Sequence, residues 1–316
     1  MHRALYNCPS LRVVCGPKPM HAVLITAYKD YASLERLVRR LDRDFFKIYV
    51  HVDRRSAIHR SQMEELERLG ASVTKDYHVR WGTMTHLYAM IDLLRQAMAV
   101  GGVDYVHLIS GQDYPLCDPA EFERRCGGRI FMNYACVDDD SDYIKDRYRL
   151  RNLFYFLQFG SGVSNRLYYL FDAPSRWLQR RMGLFRKRVG SFETLYKGTA
   201  WMSFPASAAA ELLRDDVSRQ FLKAVRTTYL PEEIFFQTYF LNSRLRGSVV
   251  NQDLRYIDWS NRNGSIPAFL DESDLEPILR SNALFARKMS SDISAELLDQ
   301  IDALCFHRAV KGEAAE

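Results

Sequence analysis

The 316-residue sequence lacks three signatures that mark common nucleotide-binding and hydrolytic sites. It contains no G-x-x-x-x-G-K-[ST] run, no G-x-G-x-x-G run after a predicted strand and no G-x-S-x-G run. These absences argue against a P-loop protein, a dinucleotide-binding Rossmann domain and an α/β-hydrolase. The sequence also contains no zinc-finger or RNA-recognition signature, so we expect no nucleic-acid partner.

Long apolar runs and paired cysteines are missing as well. No run of about 18 apolar residues occurs, so the sequence predicts no membrane-spanning helix. None of the six cysteines forms a C-x-x-C pair or shows metal-ligand spacing, and we interpret them as reduced thiols of a cytoplasmic protein. Residues 1–19 carry too short an apolar core for a signal peptide, and we interpret them as a leader or a mis-assigned start.

The charge of the chain favours anionic partners only mildly. The net charge is +5 and the sequence pI is about 8.8, which suits nucleotide phosphates or a membrane surface. Residues 176–188 carry six cations and no acid among large apolar residues. This segment, from Arg176 to Arg188, is typical of a peripheral contact with anionic lipid at the inner face of a membrane. A solvated basic helix over the acceptor side of a cleft is an alternative interpretation.

Apolar strands and amphipathic helices alternate in the first part of the chain. Residues 22–28, 46–52 and 105–110 are typical of strands buried on both faces, and helical spacing lies between them. This alternation predicts an α/β fold with a mostly parallel central sheet flanked by helices. Ligands of such sheets bind beyond the carboxyl ends of the strands, where Asp53 and Asp113 stand. Either aspartate would also suit a turn or a helix N-cap.

Two adjacent carboxylates, Glu232 and Glu233, follow Pro231 and precede an apolar aromatic run. Because proline suits the first helical position, we predict a helix that begins at Pro231 with both glutamates in its first turn. Acidic residues there stabilise a helix by about 0.3–1 kcal/mol each, which is the simplest interpretation. The residues that follow are too apolar for a surface helix, however. We therefore expect one carboxylate to face a partly buried cleft, as a candidate general base.

Six short segments together resemble one enzyme family. They are IYVHVDRRS at 48–56, GQDYPL at 111–116, KGTAW at 197–201, LPEE at 230–233, LRYIDW at 254–259 and LRSNALFARK at 279–288. In order and position they are similar to glycosyltransferase family 14, which comprises the core-2/I-branching enzymes and peptide O-xylosyltransferases. The resemblance extends over about residues 20–290. The membrane anchor and disulfide cysteines of the animal members have no counterpart that we identify, which favours a bacterial-type relative.

The resemblance implies a nucleotide-diphospho-sugar transferase fold of the GT-A type and an inverting reaction. The donor would be a UDP-sugar, UDP-xylose or UDP-GlcNAc, and the acceptor a hydroxyl of a glycan, polysaccharide or peptide, joined by a β linkage. In that family the glutamate that matches Glu233 deprotonates the acceptor, whereas the position of Glu232 varies. The Leu-Pro before the glutamates and the Phe-Phe after them are closer to the xylosyltransferase branch, which favours UDP-xylose slightly.

The resemblance further implies that no metal ion or other cofactor is required. The family neutralises the departing diphosphate with an arginine and a lysine, which match Arg255 and Lys288. The acidic run at residues 138–140 contains a literal Asp-x-Asp, so a metal-dependent transferase with another sugar nucleotide is one alternative. A non-catalytic carbohydrate- or membrane-binding relative is another, although such a module needs no base.

Four further positions are expected at the donor. By the same resemblance, Asp53 binds the nucleoside and Asp113 contacts the donor sugar. Trp81 and Gly82 follow a short predicted strand and are expected to border the donor pocket.

The patterns and the resemblance together divide the chain into segments. We predict a leader at 1–19, a UDP-sugar-binding half at 20–135, a loop-rich acceptor-side insertion with short helices at 136–196, a catalytic half at 197–310 and a tail at 311–316. Within the catalytic half, helical spacing predicts a helix near residues 275–288.

Overall fold

The apolar runs near the start of the chain form the middle of a seven-stranded sheet. The computed structural model describes residues 20–154, 157 and 162–306. Its strands are β1 His21–Ala27, β2 Phe46–Val52, β3 Ala71–Thr74, β4 Tyr105–Ser110, β5 Asp113–Pro115, β6 Ile130–Met132, β7 Ala135–Cys136, β8 Tyr196–Lys197, β9 Met202–Pro205, β10 Val249–Asn251, β11 Arg255–Ile257 and β12 Phe285–Arg287.

Helices connect most of these strands. They are α1 Tyr31–Arg40, α2 Arg60–Arg68, α3 Met84–Val100, α4 Pro119–Cys126, α5 Asp142–Arg149, α6 Gly162–Arg181, α7 Ala206–Arg214, α8 Asp216–Ala224, α9 Phe235–Asn242, α10 Leu275–Arg280 and α11 Ala295–Phe306. A separate 3-10 turn, Pro231–Glu233, precedes α9. None of the described helices is both long and apolar enough to cross a membrane.

The central sheet is mostly parallel. Its strand order is β10-β6-β9-β4-β1-β2-β3, in which β1 pairs in parallel with β2 and β4, and β9 is antiparallel to β4 and β6. Side chains alternate between the two faces of a strand, and β1 follows this rule. Ala22 and Leu24 join a hydrophobic cluster with α3, α7 and α9, whereas Val23 and Ile25 join one with α1, α4 and α11. The predicted α/β fold with flanking helices is confirmed.

A small second sheet differs from the sequence prediction. The helix expected over residues 275–288 ends at Arg280, and Phe285–Arg287 form β12 instead. Strand β12 pairs in parallel with β11 and antiparallel with β5. In the pairing with β5, Arg287 of β12 lies opposite Asp113 of β5. The apolar residues of β12 are buried in the α11 cluster, so tertiary burial overrides the helical spacing.

The segment over residues 136–196 also departs from the prediction of short helices. Helix α6 is 20 residues long, although residues 155, 156 and 158–161 lie outside the described part of the chain. The predicted leader at 1–19 and the predicted tail at 311–316 lie outside it as well. Three cysteines of the described part, Cys117, Cys126 and Cys136, are free thiols.

Candidate functional site

A cavity of about 370 Å³ lies at the carboxyl ends of β1, β2 and β4. We call it the strand-end cavity. Thr26 lies at the end of β1, Asp53 follows β2, and Ser110 ends β4, so three neighbouring parallel strands supply one side of it. This is the edge at which ligands of such sheets bind.

Asp53 is held in place by backbone N–H groups. Its Oδ1 accepts a hydrogen bond from the N–H of Arg55 at 2.8 Å, and its Oδ2 accepts one from the N–H of Val79 at 3.1 Å. The residue is 8% exposed and lines the strand-end cavity. Because the backbone fixes its orientation, Asp53 is preorganised to accept a further hydrogen bond from a ligand.

The turn before α3 brings Trp81 to the rim of the same cavity. Trp81 is 64% exposed and meets the ring of Tyr229 edge-on at 5.3 Å. Gly82 has a φ of +78°, which favours glycine, and its carbonyl accepts a hydrogen bond from Leu230 N–H at 3.3 Å. Gly82 is not among the lining residues, so it shapes the turn rather than the cavity wall.

Asp113 lies between two arginines, of which one lines the strand-end cavity and the other has a fully buried side chain. Its Oδ2 accepts hydrogen bonds from Ser110 N–H at 2.8 Å and from Arg287 Nη1 at 3.0 Å, and its Oδ1 lies 3.5 Å from Arg255 Nε. Arg287 lines the strand-end cavity. The side chain of Arg255 has no exposed surface and donates from Nη2 to the carbonyl of Leu108 at 2.7 Å.

This geometry places two residues of the sequence assignment away from the cavity wall. Arg255 was expected at the diphosphate and Asp113 at the donor sugar, but neither lines the cavity and Asp113 is only 2% exposed. The physical reason is the register of the second sheet, in which Asp113 stands opposite Arg287 and has Arg255 behind it. Arg287 is the arginine of this group that a ligand in the cavity can reach.

Two lysines extend the positive charge beyond Arg287. Lys29 Nζ and Lys288 Nζ lie 5.5 Å and 5.0 Å from the centroid of the Phe269 ring, and Lys288 donates to Ser265 Oγ at 3.1 Å. Burial, together with the charges of Arg287 and Lys29, lowers the pKa of Lys288 to about 8. Lys29 lines the cavity, whereas Lys288 stands beside it. Neither lysine has a salt bridge to a described residue, so the group is suited to an anion.

His86 joins the strand ends to the acidic turn. Its Nε2 lies 3.3 Å from Thr26 Oγ1 and its Nδ1 lies 3.3 Å from Glu232 Oε1. Its ring meets Trp201 at 5.9 Å, and Trp201 in turn lies 4.7 Å beneath the Arg287 guanidinium. His86, Trp201 and Glu232 all line the strand-end cavity.

The acidic turn differs from its prediction in one respect. Pro231–Glu233 form a 3-10 turn, and α9 begins only at Phe235. Leu230, before the proline, has a φ of +50°. Because a 3-10 helix has three residues per turn, neighbouring side chains point about 120° apart. Glu232 and Glu233 accordingly line different cavities.

Glu232 is a buried carboxylate whose two oxygens have different surroundings. The residue is 4% exposed, and its Oε1 lies near His86. Its Oε2 is buried without a hydrogen-bond partner among the described residues. A buried carboxylate oxygen is costly to leave unpaired, so this atom is suited to accept a hydrogen bond from a ligand.

Glu233 lines a second cavity of about 480 Å³, which we call the Glu233 cavity. Tyr148 donates its O–H to Glu233 Oε2 at 2.8 Å, and Arg147 Nη1 lies 4.0 Å from the same oxygen. Burial raises the pKa of Glu233 and the Tyr148 hydrogen bond partly offsets this, while the charge of Glu232 raises the pKa further. A raised pKa makes the ionised carboxylate a stronger base.

The loop before β9 is fitted closely to the acidic turn. Gly198 donates its N–H to the carbonyl of Glu233 at 2.8 Å. A Cβ on Gly198 would stand 2.1 Å from the carbonyl oxygen of Asn133, so no larger residue fits without movement of the backbone. This close approach accounts for the glycine in the KGTAW segment.

The acidic run at residues 138–140 is engaged by cations. Asp138 forms a salt bridge with Arg149, and Asp140 forms one with Lys197 at 2.8 Å. Among the described residues, the group of three His, Cys, Asp or Glu side chains close enough to share an ion is a different one, formed by His21, His107 and Cys126. It is buried in the core and lines neither cavity. Metal independence stays a prediction.

A comparison with known families agrees with the resemblance. A model described as the Core-2/I-branching enzyme family matches residues 22–278, more than half of the chain. The chain belongs to this family. The predicted family and fold class are thereby confirmed.

Individual relatives are distant. Beta-glucuronosyltransferase GlcAT14A of Arabidopsis thaliana is 25% identical over 90% of this chain and 64% of that protein. Xylosyltransferase 2 of Homo sapiens is 24% identical over 92% of this chain and 34% of that protein. The chain thus spans less than two-thirds of the length of these relatives. A solved structure of S. aureus TarS, residues 1–349, has a TM-score of 0.28 and 15% identity over 65% of this chain and 71% of that chain.

Several residues of the two cavities were missed by the sequence reasoning. They are Lys29, His86, Tyr148, Trp201 and Arg287. Two of them could have been found from the sequence, because Arg287 and Trp201 lie inside the family-like segments at 279–288 and 197–201. The other three are isolated in the sequence, and only the fold brings them to the cavities.

Proposed function

We propose that this chain is an inverting glycosyltransferase that moves a sugar from a UDP-sugar to an acceptor hydroxyl. The observation that carries the proposal is the acidic turn, which directs Glu232 into the strand-end cavity and Glu233 into the Glu233 cavity. A transferase needs a donor site and an acceptor site on either side of its reacting atoms. Family membership supports the same reaction class.

In this proposal the strand-end cavity binds the donor. Asp53 accepts hydrogen bonds from the nucleoside, and Trp81 covers it at the rim. Arg287, with Lys29 and Lys288, neutralises the diphosphate, on which negative charge develops as the bond to the sugar breaks. The lysines support this role because they lie near the cavity without a described carboxylate partner.

In the same proposal the Glu233 cavity binds the acceptor. Glu233 takes the hydroxyl proton while the acceptor oxygen forms its bond to C1 of the sugar. The bond from C1 to the β-phosphate oxygen breaks, and UDP leaves with the electron pair. One displacement inverts the configuration at C1. The raised pKa of Glu233 supports the role of base, because catalysis is best when the pKa of the base lies near the working pH.

The cations near the diphosphate take the place of a metal ion in this mechanism. Arg287 is positioned by Asp113, and the Trp201 ring lies beneath its guanidinium. Asp138 and Asp140, which would have to bind a metal, form salt bridges instead. We therefore infer that no divalent cation is required.

For the donor sugar we favour UDP-xylose over UDP-GlcNAc. The sequence around the acidic turn is similar to the xylosyltransferase branch, and Xylosyltransferase 2 is among the relatives. Another relative is named as a glucuronosyltransferase. The unpartnered Oε2 of Glu232 argues against a glucuronate donor, because two carboxylates in one buried cavity repel.

UDP release from a panel of UDP-sugars, each with and without excess chelator, tests this proposal. We expect turnover to be fastest with UDP-xylose and to survive chelation. Preference for UDP-GlcNAc would change the sugar and leave the reaction in place. Loss of activity on chelation, with rescue by manganese, would overturn metal independence and point to residues 138–140. Donor binding without turnover, across glycan and peptide acceptors, would favour a non-catalytic relative.

A further inference from the structure

Helix α6 has polar residues on its inner side and apolar residues on its outer side. Asp172 and Gln179 are 1% and 5% exposed, whereas Leu170 and Trp177 are 63% and 66% exposed. A helix on the surface of a soluble domain normally has the opposite arrangement. The exposed apolar side of α6 therefore indicates an interaction surface.

The apolar side chains of α6 form one continuous stripe. The stripe, which we call the outer face of α6, consists of Leu167, Leu170, Phe171, Trp177, Leu178 and, just beyond the helix, Met182. These residues are mainly three or four positions apart, so they lie on one side of the helix. Each is at least 43% exposed.

The surroundings of the outer face are positively charged. Residues 166–188 contain seven cations and one acid, Asp172, which is buried and paired with Arg176. Arg166, Arg181 and Lys187 are exposed and have no salt bridge to a described residue. A second copy of the chain would bring the same charge to this face and would be repelled. An anionic surface with an apolar interior complements both features.

The inner side of α6 fixes the outer face to the body of the protein. Gln179 exchanges hydrogen bonds with the backbone of Arg151, at 2.8 Å and 3.0 Å. Tyr168 packs against Tyr229 and Leu230, directly before the acidic turn. These contacts hold α6 on the scaffold that carries Glu233.

Arg186 belongs to this anchor and not to the outer face of α6. It donates hydrogen bonds to the carbonyls of Tyr148 at 2.9 Å, Leu150 at 3.1 Å and Ala224 at 3.2 Å. Burial lowers its pKa to about 10. The basic segment predicted from the sequence thus divides into a buried anchor and an exposed set of cations.

We propose that the outer face of α6 binds the surface of an anionic lipid bilayer. Trp177, Phe171 and the leucines enter the boundary between headgroups and acyl chains, and Arg166, Arg181 and Lys187 contact the lipid phosphates. The helix lies in the plane of the interface. This inference goes beyond sugar transfer and holds whether or not the donor is the one proposed.

Co-sedimentation of the full chain with vesicles tests the proposal. We expect binding to vesicles of phosphatidylcholine and phosphatidylglycerol in equal parts, and far weaker binding to phosphatidylcholine alone. Arg181→Gln with Lys187→Gln should lower the partition coefficient by roughly tenfold, since each cation near such a surface contributes. Trp177→Gln with Leu170→Gln should lower it by at least about fivefold through lost apolar burial.

Arg60→Gln with Arg68→Gln is the matched control, because these arginines are 88% and 72% exposed on α2 and the change of charge is the same. It should bind as the unchanged protein does, and circular dichroism should give all variants the same unfolding temperature within a few degrees. Equal binding to both vesicle types, or equal losses in the control and the α6 variants, would overturn the proposal. A dimer in vesicle-free solution that Trp177→Gln dissociates would assign the face to a second copy instead.

Discussion

Glu232 and Glu233 are neighbours in the chain, but their carboxylates have different surroundings. Glu232 is almost fully buried beside the His86 imidazole, and one of its oxygens has no hydrogen-bond partner in the described part of the chain. Glu233 is half-buried, accepts a hydrogen bond from the Tyr148 phenol and stands near Arg147. One tight turn therefore supplies two cavities with one carboxylate each.

The difference shows how backbone geometry separates two chemically identical groups. In an α-helix the two side chains would diverge by about 100°, and in this 3-10 turn they diverge by about 120°. The wall between the cavities is then the turn itself. An acceptor proton taken at Glu233 and a sugar hydroxyl held at Glu232 would be close in space because the two residues are adjacent in sequence.

Replacing Glu233, the proposed base, should have the largest effect. Glu233→Gln keeps the shape but cannot take a proton, so we expect turnover to fall at least about 10²-fold, the usual scale of general-base loss. Glu232→Gln is the matched control and should reduce turnover much less at saturating donor. Steady-state rates at fixed acceptor measure both. Equal losses in kcat at the two positions would remove the distinction between the carboxylates.

A smaller effect is expected from replacing Arg287 in the strand-end cavity, where the change is in the affinity for UDP. Arg287→Gln removes a cation from the strand-end cavity and should weaken UDP binding by roughly tenfold, the scale of one hydrogen bond to a charged group. Arg280→Gln, a side chain that is 75% exposed on α10, is the matched control. Calorimetric titration with UDP measures both. Unchanged UDP affinity in the Arg287 variant would mean that another cation binds the diphosphate.

The smallest expected effect is a shift in pH dependence on the acceptor side. In the proposed mechanism Glu233 must be ionised to act as the base, so we expect turnover to fall as the pH drops through its raised pKa. The Tyr148 hydrogen bond lowers that pKa, and Tyr148→Phe removes it. The acid limb of the pH–rate profile should therefore move to higher pH. Tyr169→Phe, at an exposed position on α6, should leave the profile unchanged, and a shift to lower pH in the Tyr148 variant would contradict the assignment.

Much of the fold followed from local pattern. Residues 46–52 and 105–110 are mostly apolar because both faces of β2 and β4 are covered, and burial of that kind is visible in sequence. The location of Asp53 followed as well, since a residue after a parallel strand must stand at the carboxyl edge. The acidic turn was found for a similar reason, because two carboxylates before an apolar run are unusual.

The remaining features depend on contacts between distant segments. Arg287 reaches the strand-end cavity because β12 pairs with β5. The apolar residues of 275–288 have helical spacing, so the sequence predicts a helix where β12 lies. Arg255 was expected in the site, but Asp113 and Phe285 enclose it. The burial of the polar inner side of α6 could not be predicted from the sequence either, because it comes from residues such as Arg151 and Tyr229 elsewhere in the chain.

The central claim is that the acidic turn serves the donor with Glu232 and the acceptor with Glu233. Calorimetric titration of UDP-xylose into the Glu232→Gln and Glu233→Gln proteins tests it most directly, because donor affinity is read without turnover. We predict that Glu232→Gln weakens donor binding at least about fivefold, through a lost charged acceptor, while Glu233→Gln leaves it unchanged. Weaker donor binding in the Glu233 variant, with normal binding in the Glu232 variant, would contradict the account.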